Sequence, residues 1–125
     1  MPALERLPGL RVVADPAALD AATWRGADEV TVLRLAPDDA FGIGATEVDV
    51  ADEHAIIEAE PGFAGAWLPV EAVAHHIEWS LPTERPTLAQ GAVANVPARV
   101  WLPDDGDALL VTAAAYADEL ESRLR

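Results

Sequence analysis

The chain contains no cysteine and no lysine. The first absence removes disulfides, thiolate nucleophiles, cysteine-type structural zinc and iron–sulfur ligation. The second removes Schiff-base catalysis, covalent attachment of pyridoxal phosphate and a phosphate-loop lysine from anything the chain does alone. Serine occurs only at Ser80 and Ser122, and neither sits in a Gly-x-Ser-x-Gly elbow. No apolar run approaches the roughly 20 residues that span a bilayer, and Met1 to Pro8 has no apolar signal region. These absences predict a cytoplasmic chain with no cofactor of its own.

Positive charge is also scarce. Eight arginines face 22 acidic residues, a formal net charge of -14. A surface of that sign excludes nucleic acid and anionic membrane as partners, since both recruit cations. Apolar residues make up 51% of the 125, which excludes disorder. That length predicts a single globular domain over 1–125. Alanine is abundant and arginine wholly replaces lysine, a pairing that points to GC-rich coding. The alanines also make the working core smaller than the apolar fraction suggests.

Patterning supplies the elements. Gly9 to Ala14 reads as a strand. Asp15-Pro16 then opens a short helix reaching Trp24, an N-cap followed by proline at the first helical position. Glu29 to Ala36 is apolar on both faces and reads as a central strand, ended by the turn Ala36-Pro37-Asp38-Asp39. Short strands follow at Ala40–Ala45, Thr46–Val50, His54–Glu60 and Phe63–Leu68. Pro69 opens a helix through about Trp79, with Val70, Val73, Ala74 and Ile77 on its apolar stripe. Leu81 to Pro86 reads as irregular, and Thr87 to Asn95 is open between helix and strand because of Gly91. Arg99–Leu102 and Ala108–Val111 flank an Asp-Gly turn and predict a hairpin. Thr112 is expected to cap a terminal helix that buries Ala113, Tyr116, Ala117, Leu120 and Leu124. Glu119–Arg123 and Glu121–Arg125 support it as i,i+4 pairs. The sum is an α+β fold: a mainly antiparallel sheet of about six short strands with about three helices packed on it.

Four features carry the candidate chemistry. Glu71, His75 and Glu78 share a face of the expected helix, and His-x-x-Glu is a usable metal-ligand spacing. The plainer reading is the solvated back of an amphipathic helix; His76 points about 100° away and adds nothing to chelation. Asp49, Asp52, Glu53, His54, Glu58 and Glu60 form an acidic patch without the EF-hand spacing, best read as a solvated turn and strand edge. Arg34 stands in an apolar strand, where a charge must be paired or must reach an anionic ligand such as a carboxylate. Its ordinary partner would be Asp38 or Asp39. Finally, Trp24, Trp67, Trp79 and Trp101 are many for this length. Trp67 closes a glycine-spaced aromatic segment from Gly62 that suits a contact surface, although core packing is the ordinary fate of a tryptophan.

The segment Arg34-Leu-Ala-Pro-Asp-Asp39-Ala-Phe41 resembles part of the gamma subunit of heterotetrameric sarcosine oxidase, which is related to the folate-binding domain of glycine-cleavage aminomethyltransferases. That resemblance implies a non-catalytic subunit packed against a larger oxidoreductase. It carries no functional residue onto this chain.

Two functional classes follow. The first is a small acidic accessory protein without its own catalysis, a subunit-like partner of a larger enzyme or a homo-oligomer, with Trp67 in the contact. The alternative is a small-molecule or metal-binding protein using Arg34 as an anion site, or Glu71, His75 and Glu78 around a metal. The charge itself has a consequence for stability. Self-repulsion at -14 is screened by salt, so the melting temperature is expected to rise as NaCl reaches a few hundred millimolar. A flat or falling curve in differential scanning calorimetry would contradict this.

Overall fold

Antiparallel ladders account for most of the chain. The computed structural model describes residues 3–125, and among them nine strands form two antiparallel sheets accompanied by three helices. The α+β class and the antiparallel pairing agree with the sequence reading; the strands are more numerous and divide between two sheets. The described residues separate into two compact units, Leu7–Pro61 and Gly62–Arg125, the second joined by residues 3–6. No helix among the described residues is long and apolar enough to cross a membrane.

The Leu7–Pro61 unit contains β2 (Gly9–Val13), α1 (Pro16–Asp20), β3 (Thr23–Ala36), β4 (Asp39–Asp49) and β5 (Ile56–Glu60), with sheet order β3-β4-β2-β5. The segment expected to be two short strands is the single strand β4. The strand expected to begin at Glu29 begins at Thr23, and it lies at the sheet edge rather than its centre. Irregularities in register around Gly26 and near Arg34 bend this hairpin. The first helix stops at Asp20 instead of continuing to Trp24. The physical reason is the tryptophan. Its indole lies across Gly42 of β4, where any Cβ would collide with the ring. That packing places Trp24 in β3, opposite Val48. Val12, Ala14, Leu19 and Ala40 form the buried cluster beside it.

Arginines stitch this sheet. On β2, Arg11 lies opposite Phe41 and Glu58, so Asp39 and Glu60 are its diagonal neighbours on the same face. It donates from Nε and Nη2 to the two Asp39 carboxylate oxygens, both at 2.7 Å, and from Nη1 to Glu60 at 3.1 Å. The Asp39 hydrogen bonds, with Glu60 adding to them, raise the Arg11 pKa above its ordinary value. Arg25 on β3 likewise holds Glu47 and Asp49 of β4. Near the β4–β5 connection, the Asp52 carboxylate accepts the backbone N–H groups of Asp15 and His54, each at 2.9 Å. These bonds, Asp15's first, hold its pKa below the usual carboxylate range.

The other unit contains β1 (Glu5–Arg6), β6 (Phe63–Leu68), α2 (Val70–Ala74), β7 (Thr87–Val93), β8 (Val96–Leu102), β9 (Ala108–Ala113) and α3 (Ala117–Arg123), with sheet order β1-β6-β9-β8-β7. Alternation along the strands turns Leu68, Val100, Leu102 and Leu110 into one core, against which Val73, Leu120 and Leu124 of the helical segments pack. The expected hairpin is present as β8–β9, with Gly106 at φ +86° in its turn.

Three local expectations are corrected. The helix opened by Pro69 ends at Ala74, not near Trp79. Trp79 instead lies against Gly91 and donates its indole N–H to the Ala92 carbonyl at 2.8 Å. Thr112 does not cap a helix: it is buried in β9 and donates its hydroxyl to the Pro97 carbonyl at 2.8 Å. Tyr116 lies on a short 3-10 turn before α3 and is 42% exposed rather than buried. Both expected ion pairs of α3, Glu119–Arg123 and Glu121–Arg125, are made.

The undecided stretch at Thr87 is a strand whose hairpin turn has an unusual composition. Ala94 and Asn95 occupy it with φ of 49° and 65°. An alanine tolerates that region poorly. It is held there from both sides, its N–H donating to the His76 carbonyl at 2.7 Å and its carbonyl accepting from Arg123 at 3.0 Å. Relief of the Cβ strain means that Ala94→Gly should stabilise the protein by about 1 kcal/mol in urea denaturation; a destabilised variant would contradict the strain.

A second expectation concerns acid. The native pKa of Asp52 lies below its usual 3.8, so its contribution is complete above that value and fades as pH falls through the lower native one. Urea midpoints of wild type and Asp52→Ala are therefore expected to differ at about pH 6 and to converge toward about pH 2. A gap that widened on acidification would refute the assignment.

Candidate functional site

In a chain with so few cations, the partners of each arginine decide which are free for other work. Arg34 is not free. It pairs with Asp20 at the end of α1 and donates to the Pro37 carbonyl at 2.9 Å. The pairing expected from Asp38 or Asp39 is made by Asp20 instead, which the helix brings across fourteen residues of sequence. Arg85 donates to the carbonyls of Pro82 and Glu84.

Arg99 is placed differently. It lies on β8, opposite Val111 of β9 and Gln90 of β7. Its Nε is buried and has no hydrogen-bond partner. A buried donor left unpaired is rare and costs on the order of 1–3 kcal/mol. The arginine lines a cavity of about 420 Å³. Phe63, Val111 and Ala113 give that cavity an apolar wall, while Gln90 and Tyr116 add polar atoms at its margin. No carboxylate is among the lining residues. The arrangement is thus one guanidinium, with no carboxylate beside it, in a small and mainly apolar concavity. That combination binds anions with apolar bodies, because the charge-assisted bond fixes the head while the wall takes the rest.

The other sequence candidates are dispersed. His75 caps α2 and is exposed, its ring edge-on to His76 at 5.4 Å. Since the helix ends there, Glu78 no longer shares a helical face with Glu71 and His75. Glu78 and His76, not His75, line a separate pocket of about 160 Å³ beside Asn95. Among the described residues, no group of three or more histidines, aspartates or glutamates is placed to hold a metal ion. The acidic patch is partly consumed by structure: Asp49 by Arg25, Asp52 by backbone N–H groups and Glu60 by Arg11. The hydrogen bond from Arg25 also holds Asp49 below the usual carboxylate range.

Trp67 stands on β6, opposite Leu109 of β9, which lies opposite Trp101 of β8. Leu109 in this row is buried, whereas Trp67 is 47% exposed. In the Leu7–Pro61 unit the exposed large apolar residues are Val13 on β2 and Ile56 and Ile57 on the edge strand β5, with Ile56 at 56%.

Sequence reading passed over Arg99, Gln90 and Tyr116. The signal for Arg99 was present, a cation between Ala98 and Val100 on an apolar strand, and it matches the argument made for Arg34. Only the fold separates the two, by supplying Asp20 to one and no acid to the other's cavity.

No protein-family model matches the chain, and no curated protein matches it in sequence. Among solved structures, the fold is similar to a chain of the heterotetrameric sarcosine oxidase from Corynebacterium sp. U-96, in complex with pyrrole 2-carboxylate. The TM-score is 0.66 at 14% identity, covering 97% of this chain and 79% of that chain. At that identity the likeness is one of fold, and it runs through both units of this molecule.

Proposed function

We propose that this protein is an accessory, subunit-like component without catalysis of its own, which acts in the cytoplasm bound to a larger protein. The observation that carries the reading is the likeness, over 97% of the chain, to a chain of a heterotetrameric enzyme. The segment at Arg34 to Phe41, similar to the gamma subunit of that enzyme class, agrees with it. The surface supplies the means. A half-exposed tryptophan is a common anchor in protein interfaces, where its area is large and its entropy loss small. Trp67 fills that role here. The β5 edge, with Ile56 and Ile57 exposed, offers a second apolar contact.

The test is isolation of the protein from its host under mild conditions, followed by native mass spectrometry. A stoichiometric complex with a longer polypeptide is expected, and Trp67→Ala should weaken it at least tenfold while the melting temperature stays within a few degrees. Recovery of the free monomer alone, or of a self-assembly unaffected by Trp67→Ala, would overturn the reading.

A further inference from the structure

We infer that the cavity at Arg99 is a binding site for a small monocarboxylate with an apolar body. Three independent features converge on that class. The first is the Arg99 guanidinium itself, which lines the cavity with no carboxylate among the lining residues and whose Nε–H has no partner within the fold. A guanidinium offers paired N–H groups that match the two oxygens of a carboxylate. The second is the lining. Phe63, Val111, Ala113 and the small residues around them offer apolar contact, and Gln90, opposite Arg99 across the β7–β8 ladder, offers a side-chain amide near the charged end. The third is size. About 420 Å³ falls in the range of small-ligand sites.

Charge narrows the class further. The molecule carries -14, so an anion is repelled at long range and is drawn only where a cation stands without a counter-carboxylate. A single guanidinium balances one negative charge. A phosphate dianion would retain excess charge in an apolar cavity, which makes it the poorer ligand.

Arg99 is therefore retained at a cost to the empty protein, and this separates a ligand-binding arginine from a structural one. Arg99→Met keeps the apolar stem and removes the unpaired donor. Its melting temperature is expected to equal or exceed that of wild type, and a clear fall would overturn the assignment by showing that Arg99 holds the fold.

The binding experiment uses the full chain labelled with ¹⁵N and reads the arginine Nε–H and backbone amide resonances during titration. Benzoate is the probe, with benzamide as its uncharged counterpart and inorganic phosphate as the ion without an apolar body. Benzoate should shift the Arg99 Nε–H and the Gln90 amide saturably, with benzamide and phosphate at least tenfold weaker. Arg99→Gln should lose benzoate binding by tenfold or more, and Arg34→Gln should retain it. The wild-type Arg99 Nε–H shift stands as evidence even where Arg99→Gln perturbs folding. The inference fails if benzoate gives no saturable shift through the millimolar range, if benzamide or phosphate binds equally well, or if a folded Arg99→Gln protein binds benzoate like wild type. A chain isolated without a partner would still bind benzoate, so this site and the subunit reading fail separately.

Discussion

The diagonal reach of Arg11 across β2 holds the acidic half of the molecule together. Twenty-two carboxylates and eight cations cannot all be paired, so the position of each arginine decides where negative charge is tolerated within the fold. Arg11 takes Asp39 from one neighbouring strand and Glu60 from the other, and so ties three strands at one point. Asp39 lies opposite Val13 and Glu60 opposite Gly9, so the one guanidinium gathers carboxylates from the two ends of β2. Arg25 repeats the device between β3 and β4, and Arg34 extends it from β3 to the end of α1. Each pair taken singly is partly exposed and worth little. Their value lies in fixing register: each joins residues that are neighbours only when the strands are aligned as observed.

Arg99 stands out against this pattern. A protein that uses its arginines to compensate acid leaves this one without an acid in its cavity and with one N–H buried and unsatisfied. Native folds seldom keep such a group without a use for it. The cavity's shape and the charge economy of the rest of the chain thus point to the same residue. They do so by different physics, one by packing and the other by electrostatics.

How far the sequence disclosed this depends on whether the deciding contact is local. The β8–β9 hairpin was legible because an Asp-Gly turn between apolar runs contains its own instructions. The α3 ion pairs were legible because four residues make one turn of helix. The β7–β8 hairpin was not. Its turn is Ala94-Asn95, and an alanine adopts that backbone only because His76 and Arg123, distant in sequence, hold it there. The helix lengths failed for a similar reason. Trp24 and Trp79 stand at the ends of the two expected helices, but each finds a strand glycine that accommodates its ring. Tertiary packing of an indole outweighs the few tenths of a kcal/mol by which helix propensities differ. At the candidate site the residue type was informative and the partner was not: Arg34 and Arg99 present the same local pattern, and only the fold brings acid to one of them.

The net charge finally bears on which kind of partner the apolar edge suits. Strand β5 lies at the end of its sheet with Ile56 and Ile57 exposed, an arrangement that invites pairing with another strand. Two copies meeting there would each bring -14 and would set Glu58, which faces water, near its own counterpart. Screening at physiological salt reduces the long-range part of that repulsion but not the part between carboxylates a few ångströms apart. Glu58 therefore acts on this edge as charged side chains do on other exposed edges, opposing self-association while leaving the apolar pair accessible. A partner with basic residues beside its own apolar strip escapes the penalty and gains from the same carboxylate. On the subunit reading, the same acid biases this edge toward a different protein over a second copy of itself.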